Sequence, residues 1–147
     1  MSNHMSKRGV LASICLLALG CGHALERQFF EQYLGTRLER LRQYGLNDQY
    51  KIFRYGNHME PPLSDLAIPI AEKGATVVPF LLNRLSEADD EGVRDSLTVF
   101  ETMVRDNYYD VKSDATVMNA LSSRIATVKD KWQRDFYLQQ LEYIRSH

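Results

Sequence analysis

The feature that most constrains the fold is a pair of amphipathic helical patterns in residues 75–107, separated by a short acidic turn. In both patterns apolar residues recur at intervals of three and four, which places them on one face of an α-helix. These residues are Val78, Leu81, Leu82, Leu85, Val93, Leu97, Phe100 and Val104. The segment is therefore predicted to form two helices that fold back on each other, each with one buried face.

Proline and aspartate mark the predicted beginnings of these two helices. Pro79 falls in the first turn of the first helix, where its missing N–H breaks no intrahelical bond. Asp89 or Asp90 can cap the second helix by accepting hydrogen bonds from its orphan backbone N–H groups. A single hairpin cannot bury both of its faces, so the pattern predicts further helices packed against it.

The chain repeats this pattern about 40 residues later, a spacing typical of helical-pair repeats. Residues 75–104 align without a gap with residues 115–144. The identical pairs are Ala75/Ala115, Thr76/Thr116, Val77/Val117, Leu81/Leu121, Arg84/Arg124, Asp90/Asp130, Arg94/Arg134 and Asp95/Asp135. With an early proline, an acidic turn and Val93-Arg94 opening the second helix, the hairpin resembles a HEAT repeat. The resemblance covers roughly half of the chain and implies a right-handed helical-repeat scaffold that binds other proteins and has no catalytic motif.

Helical patterns also cover most of the chain between residue 25 and the first repeat. The predicted helices cover residues 25–44, 47–55 and 64–73 and the repeat hairpins at 75–107 and 115–146, and an irregular loop covers residues 55–62. Gly74 is predicted to end the helix at 64–73 in the left-handed conformation. The predicted N-caps are Asn47, Ser64 and, before residue 115, either Ser113 or Asp114. The predicted fold is all-α, with about six helices in antiparallel hairpins that form a single domain over residues 21–147. Trp132 opens the last helix and is predicted to close the core, with stacking against a ligand as the alternative.

Residues 1–20 have the organisation of a secretory signal peptide. Lys7 and Arg8 precede an apolar run that, at about ten residues, is too short to span a bilayer. The segment ends in Leu-Ala-Leu-Gly-Cys at residues 17–21, which resembles the lipobox of bacterial lipoproteins. This resemblance implies a lipid on Cys21 and a body that faces the periplasm. Ordinary signal-peptidase cleavage after Ala24 is the alternative, and it would give a soluble periplasmic or secreted protein.

Charge and residue inventory argue against several function classes. Without Lys7 and Arg8, the 18 basic residues fall to 16 against 19 acidic ones, which disfavours binding to the phosphates of nucleic acid. Outside the leader region and the C-terminal residue, His58 is the only histidine, and no cysteine follows Cys21. A Cys/His nucleophile pair, a thiolate zinc site and a two-histidine metal motif therefore lack their residues. We predict no catalytic residue, metal or cofactor.

Three groups of residues are candidates for contact with a partner: the acidic turn, the loop at 55–62 and the connector between the repeats. They are Glu87, Asp89, Asp90 and Glu91; Tyr55, His58 and Glu60; and Tyr108, Tyr109 and Asp110. A structural role is the alternative for each group, since acids can favour a helix N-terminus and tyrosines can pack over a core edge. A calcium site or a glycosidase-type carboxylate pair in the acidic turn lacks the specific spacing such sites require.

The predicted function is a periplasm-facing, lipid-anchored protein-binding module. Its specific form, by analogy with other small exported helical binders, is an immunity protein whose acidic turn and tyrosine-bearing loop plug the basic active site of a periplasm-acting toxin. The alternative is a structural or adaptor lipoprotein of an envelope assembly. A carboxylate-dependent envelope hydrolase is the third hypothesis.

Overall fold

A computed structural model of the chain describes residues 23–32 and 34–147, so the predicted signal peptide and Cys21 lie outside the described residues. Within those ranges the chain has no strand, which confirms the all-α class, and no helix is both long and apolar enough to cross a membrane. They contain eight α-helices: α1 Ala24–Phe30, α2 Arg37–Arg42, α3 Leu46–Asn57, α4 Ile68–Ala71, α5 Val78–Glu87, α6 Asp90–Arg105, α7 Ala115–Ala126 and α8 Lys131–Ser146. Short 3₁₀ turns at Leu34–Thr36, Ser64–Ala67, Gly74–Val77 and Val111–Ser113 precede α2, α4, α5 and α7.

The described residues up to Gly35 and the residues Thr36–His147 belong to two separate units. The long helix predicted over residues 25–44 is wrong, because α1 ends at Phe30 and α2 begins only at Arg37. Gly35 lies in the 3₁₀ turn between them, and glycine is a poor residue for a helix interior.

The second unit contains three successive helical hairpins: α3 with the segment 64–71, α5 with α6, and α7 with α8. The first helices of the hairpins lie side by side, since α5 contacts α7 and the Tyr50 ring of α3 meets the Phe80 ring of α5 edge-on at 5.4 Å. The second helices form the other layer, in which α4 contacts α6 and α6 contacts α8. Helix α6 is therefore the central element of the second layer.

The core lies between the two layers, and its side chains come from all three hairpins. Its fully buried members include Ile52, Phe53, Leu66, Ile70, Leu81, Leu97, Phe100, Met103, Leu121 and Ile144. Most of the apolar stripe predicted for residues 75–107 is buried, whereas Leu82 and Val104 are half-buried at the edges. Helix α6 is buried over more of its circumference than a surface helix because it has neighbours on both sides.

Aspartates cap three of the repeat helices. Asp89 accepts a hydrogen bond from Gly92 N at 2.8 Å at the start of α6, and Asp114 accepts bonds from the first turn of α7. Both caps were predicted and are confirmed. Asp130 caps α8 in the same way through Gln133 N at 2.8 Å.

Two other predicted caps are wrong. Asn47 lies inside α3, whose N-cap position is occupied by Gly45, and α3 continues past Tyr55 to Asn57. Ser64 begins a 3₁₀ turn without capping it through its side chain. The helix after Ser64 is consequently split into a 3₁₀ turn and the short helix α4.

The two repeats follow the ungapped alignment in their first helices but not in their second helices. Val77, Leu81 and Leu85 correspond to buried Val117, Leu121 and Ile125 at a constant offset. Helices α6 and α8 have 16 residues each and begin after their caps Asp89 and Asp130, so their offset is one residue greater. Asp130 is therefore the counterpart of Asp89 and not of Asp90. A one-residue shift rotates a helical position by about 100°.

Candidate functional site

A polar cluster around Asp95 joins the first hairpin to α6. The side chain of Asp95 is fully buried, and its carboxylate accepts hydrogen bonds from Arg54 Nε and Asn57 Nδ2, both at 2.9 Å. His58 Nε2 lies 3.0 Å from Asp95 Oδ1. All three partners lie in α3 or directly after it, so one buried carboxylate fastens the end of α3 to α6.

The same contacts hold the loop that follows α3. His58 stands between two acids, because its Nδ1 is 3.7 Å from Glu91 Oε2 on the side away from Asp95. Arg94 donates from Nη2 to the carbonyl oxygen of Asn57 at 2.6 Å. His58 is thus part of the cluster, and it brings the loop together with Glu91 of the acidic turn.

A groove of about 360 Å³ opens between α6 and α8. One wall is a stripe of α6 residues at intervals of three and four: Arg94, Thr98, Glu101 and Arg105. The opposite wall consists of α8 residues, chiefly Trp132, Phe136 and Gln140. Pro62 and Ser64 close one end, so all three hairpins contribute to this groove.

An exposed aromatic pair forms part of the α8 wall. Trp132 is 76% exposed and Phe136 is 42% exposed, and their rings are nearly parallel, at 6° with centroids 6.0 Å apart. The prediction that Trp132 closes the core is therefore wrong. The extra residue before α8 places Trp132 at the position of exposed Glu91, where an ungapped repeat would place it at that of buried Gly92. Adjacent exposed aromatic rings beside a groove are typical of interaction surfaces.

The charges of the groove differ in how they are neutralised. Arg105 forms two hydrogen bonds of 2.9 Å with the carboxylate of Asp106, which neutralises it. Glu101 accepts a hydrogen bond of 3.1 Å from the uncharged amide of Gln140 and keeps its negative charge, near Arg105. Within the described chain Arg94 makes no salt bridge, and its recorded hydrogen bond is the one to the Asn57 carbonyl. Arg94 is therefore the groove's available cation.

The buried side chain of Tyr137 also lines the groove. Its hydroxyl donates to the carbonyl oxygen of Asp90 at 3.0 Å, and burial raises the pKa of this tyrosine. The bond ties α8 to the beginning of α6. It fixes the separation of the two groove walls at the end where Trp132 lies.

Two of the four acidic residues in the acidic turn have a structural role. Asp89 caps α6, and Asp90 accepts hydrogen bonds from the backbone N–H of Lys129 at 3.0 Å and from Arg124 Nη2 at 3.3 Å. The Lys129 N–H, followed by Arg124, holds the pKa of Asp90 below its ordinary value. Asp90 thereby joins the turn of the second hairpin to that of the third. The turn's other acids are exposed; they are Glu87 and Glu91.

We expect Asp90 to make folding stability depend on acidity. Because its folded pKa lies below the ordinary 3.8, its contribution is present above that value and is lost as the pH falls through the lowered folded pKa. Asp90→Asn should lower the free energy of unfolding at neutral pH and flatten its decline between about pH 5 and pH 2. Urea unfolding at a series of pH values measures both effects. A decline equally steep in the variant and the wild type would contradict this role.

The remaining predicted contact residues lie away from the groove. The Tyr109 hydroxyl donates to Asp114 Oδ2 at 2.8 Å and so supports the cap of α7, while Tyr108 is 38% exposed. Asp110 and Glu60 are exposed, and Tyr55 is half-buried. None of the predicted contact residues lines the groove. In the sequence, the groove is indicated by Trp132 and Phe136, which lie four residues apart on one side of α8. The ungapped repeat alignment places both at positions that are buried in α6, and it therefore predicts the wrong side of the helix for them.

The groove has the properties of a binding site: an aromatic wall, a polar wall and an available cation. Among residues 23–32 and 34–147, no three His, Cys, Asp or Glu side chains form a group that could hold a metal ion. Comparisons with protein-family models, with curated proteins and with solved structures found no match for this chain.

Proposed function

We propose that this protein is a protein-binding module of the bacterial cell envelope, anchored by a lipid on Cys21 and facing the periplasm. The location is supported by the signal-like composition of residues 1–20 and by the lipobox-like sequence at 17–21. A scaffold role is supported by the stacked helical hairpins and by their resemblance to HEAT repeats.

The observation that carries the proposal is the exposed, stacked pair Trp132 and Phe136 at the rim of the groove. Tryptophan, tyrosine and arginine are the residues most enriched among those that dominate protein–protein binding energy. Tyr137 and Arg94 line the same groove. Covering the aromatic pair would remove apolar surface from water, which gives a partner a favourable free energy of binding.

The proposal has two forms, which differ in the partner. In the immunity-protein form the partner is a periplasm-acting toxin, and the exposed Glu87 and Glu91 offer acidic side chains to a basic toxin surface. In the adaptor form the partner is a resident component of an envelope assembly. Both forms use the groove as the main contact.

Trp132→Ala tests the groove, and Leu138→Ala is its matched control. Leu138 lies on the same helix and is 47% exposed, but it does not line the groove. We expect Trp132→Ala to weaken partner binding by about 2 kcal/mol, or roughly 30-fold in Kd, as is typical when a central aromatic anchor is removed. Leu138→Ala should change Kd by less than about twofold.

The experiment is an affinity pull-down of the full chain from envelope extracts at moderate salt, followed by calorimetry with the recovered partner. Recovery of a toxin-like enzyme that Trp132→Ala no longer retains supports the immunity-protein form. Recovery of resident envelope machinery with the same dependence supports the adaptor form. Retention that is unaffected by Trp132→Ala contradicts the groove as the contact, and an empty pull-down contradicts the protein-binding function.

A further inference from the structure

The chemistry of the groove specifies what kind of partner segment it fits, provided that the proposed protein-binding function holds. Its two walls differ: α8 presents the apolar rings of Trp132 and Phe136, whereas α6 presents charged and hydroxyl side chains. A bound segment that contacted only the aromatic rings would bury Arg94 without supplying an anion to pair with it. Burying an unpaired charge costs free energy.

Arg94 determines the sign of the charge that the occupant must bring. A guanidinium has five N–H donors, and the structure shows one of them used, by the Asn57 carbonyl oxygen. The neighbouring carboxylate of Asp95 already accepts hydrogen bonds from Arg54 and Asn57, and His58 Nε2 lies 3.0 Å from it. Arg105 already has the carboxylate of Asp106 as its partner. The groove therefore lacks an anion at one position, beside Arg94.

The dimensions of the groove indicate a short extended segment. Arg94 and Arg105 lie eleven residues apart on α6, which corresponds to about 16 Å along the helix axis at 1.5 Å per residue. An extended chain covers this length with about five residues at 3.3 Å each.

We infer that the groove binds an extended segment of the partner in which an acidic residue lies next to a large apolar one. The carboxylate pairs with Arg94, in the two-bond geometry that guanidinium and carboxylate favour, and the apolar side chain lies against Trp132 and Phe136. The segment's charge is opposite to that of the groove's available cation, although the chain as a whole carries slightly more acidic than basic residues.

Selection from a random-peptide phage library on the full chain, with counter-selection on Trp132→Ala, tests this inference. We expect the retained peptides to be enriched in Asp or Glu adjacent to Trp, Phe, Tyr or Leu. A synthetic peptide from this set should bind Arg94→Gln at least about tenfold more weakly than the wild type, because a charge-assisted pair is lost. Arg145→Gln is the control and should change affinity less than about twofold, since Arg145 pairs with Glu142 and does not line the groove.

A second measurement guards against damage to the fold, because Arg94 also holds the loop through Asn57. Replacing the acid of the selected peptide by its amide removes the same contact while the protein stays unaltered, and it should weaken binding by a similar factor. Retained peptides that depend on Trp132 but carry no acid would overturn this inference and leave the protein-binding function intact. If counter-selection on Trp132→Ala removes every peptide that binds the full chain, or if no peptide binds at all, both the inference and the groove as the contact are overturned.

Discussion

Asp95→Ala is expected to lower the free energy of unfolding by about 3 kcal/mol or more, as is usual when one partner of a buried ionic cluster is removed. The substitution leaves the buried side chain of Asn57 without its acceptor, and it separates the charge of Arg54 from its carboxylate. Arg54 is 47% exposed and can turn toward water, so Asn57 and the cavity at residue 95 account for most of the loss. Urea unfolding followed by circular dichroism measures this effect.

Asp135→Ala is the matched control for Asp95. The two aspartates are paired by the ungapped repeat alignment, but Asp135 is 49% exposed and its recorded partner is Lys131 on the same helix. Its removal should cost less than about 0.5 kcal/mol, as for most surface ion pairs. Equal losses for the two variants would show that the cluster around Asp95 does not hold the first hairpin to α6.

Gly74→Ala is expected to lower the free energy of unfolding by about 2 to 3 kcal/mol. Gly74 has a φ of 57°, a left-handed conformation that costs other residues about 1 to 2 kcal/mol. A Cβ at this position would also lie 2.9 Å from the backbone carbonyl oxygen of Tyr108, which is too close for a carbon atom. The connector between the repeats would have to move away from the beginning of α5.

Gly45→Ala provides the comparison, measured by the same unfolding experiment. A Cβ on Gly45 meets no atom within 4 Å, and its φ of −64° is open to all residues. We expect a loss below about 1 kcal/mol, which reflects the poor capping by alanine. If Gly74→Ala proves no more harmful than Gly45→Ala, the close approach of Tyr108 to the Gly74 position is not a constraint on the fold.

The helical class and several helix boundaries could be predicted because local chemistry determines them. Apolar spacing identified the buried faces of α5 and α6, and short-range hydrogen bonding made Asp89 and Asp114 recognisable as caps. Gly74 was correctly predicted to adopt the left-handed conformation, although α4 ends earlier, at Ala71. Each of these features depends on residues only a few positions apart.

The exposure of Trp132 could not be predicted, because it depends on a one-residue difference between two turns. Both the identities at Asp90/Asp130 and those at Arg94/Arg134 favoured an ungapped alignment. In the structure the cap of α8 corresponds to Asp89, which turns Trp132 outward. Identities between amphipathic helices can therefore mislead when they conflict with the positions of the caps.

Only part of the buried cluster around Asp95 could be predicted from the sequence. His58 was selected because loops on a rigid scaffold often carry function. Asp95 was not selected, because in sequence it is an acid between Arg94 and Ser96 like many on a helix surface. Its partners are Arg54, Asn57 and His58, which lie 41, 38 and 37 residues away, and local spacing contains no information about such contacts.

The two walls of the groove differ in their freedom to change during evolution. Arg94 on α6 also holds the loop after α3, and its neighbour Asp95 is the centre of the buried cluster, so substitutions there affect stability as well as binding. Trp132 and Phe136 on α8 are exposed and contribute little to the core. Substitutions at Trp132 and Phe136 can therefore change the partner during evolution at little cost in stability. Substitutions at Arg94 lower stability as well, so the preference of the α6 wall for an acidic ligand changes more slowly.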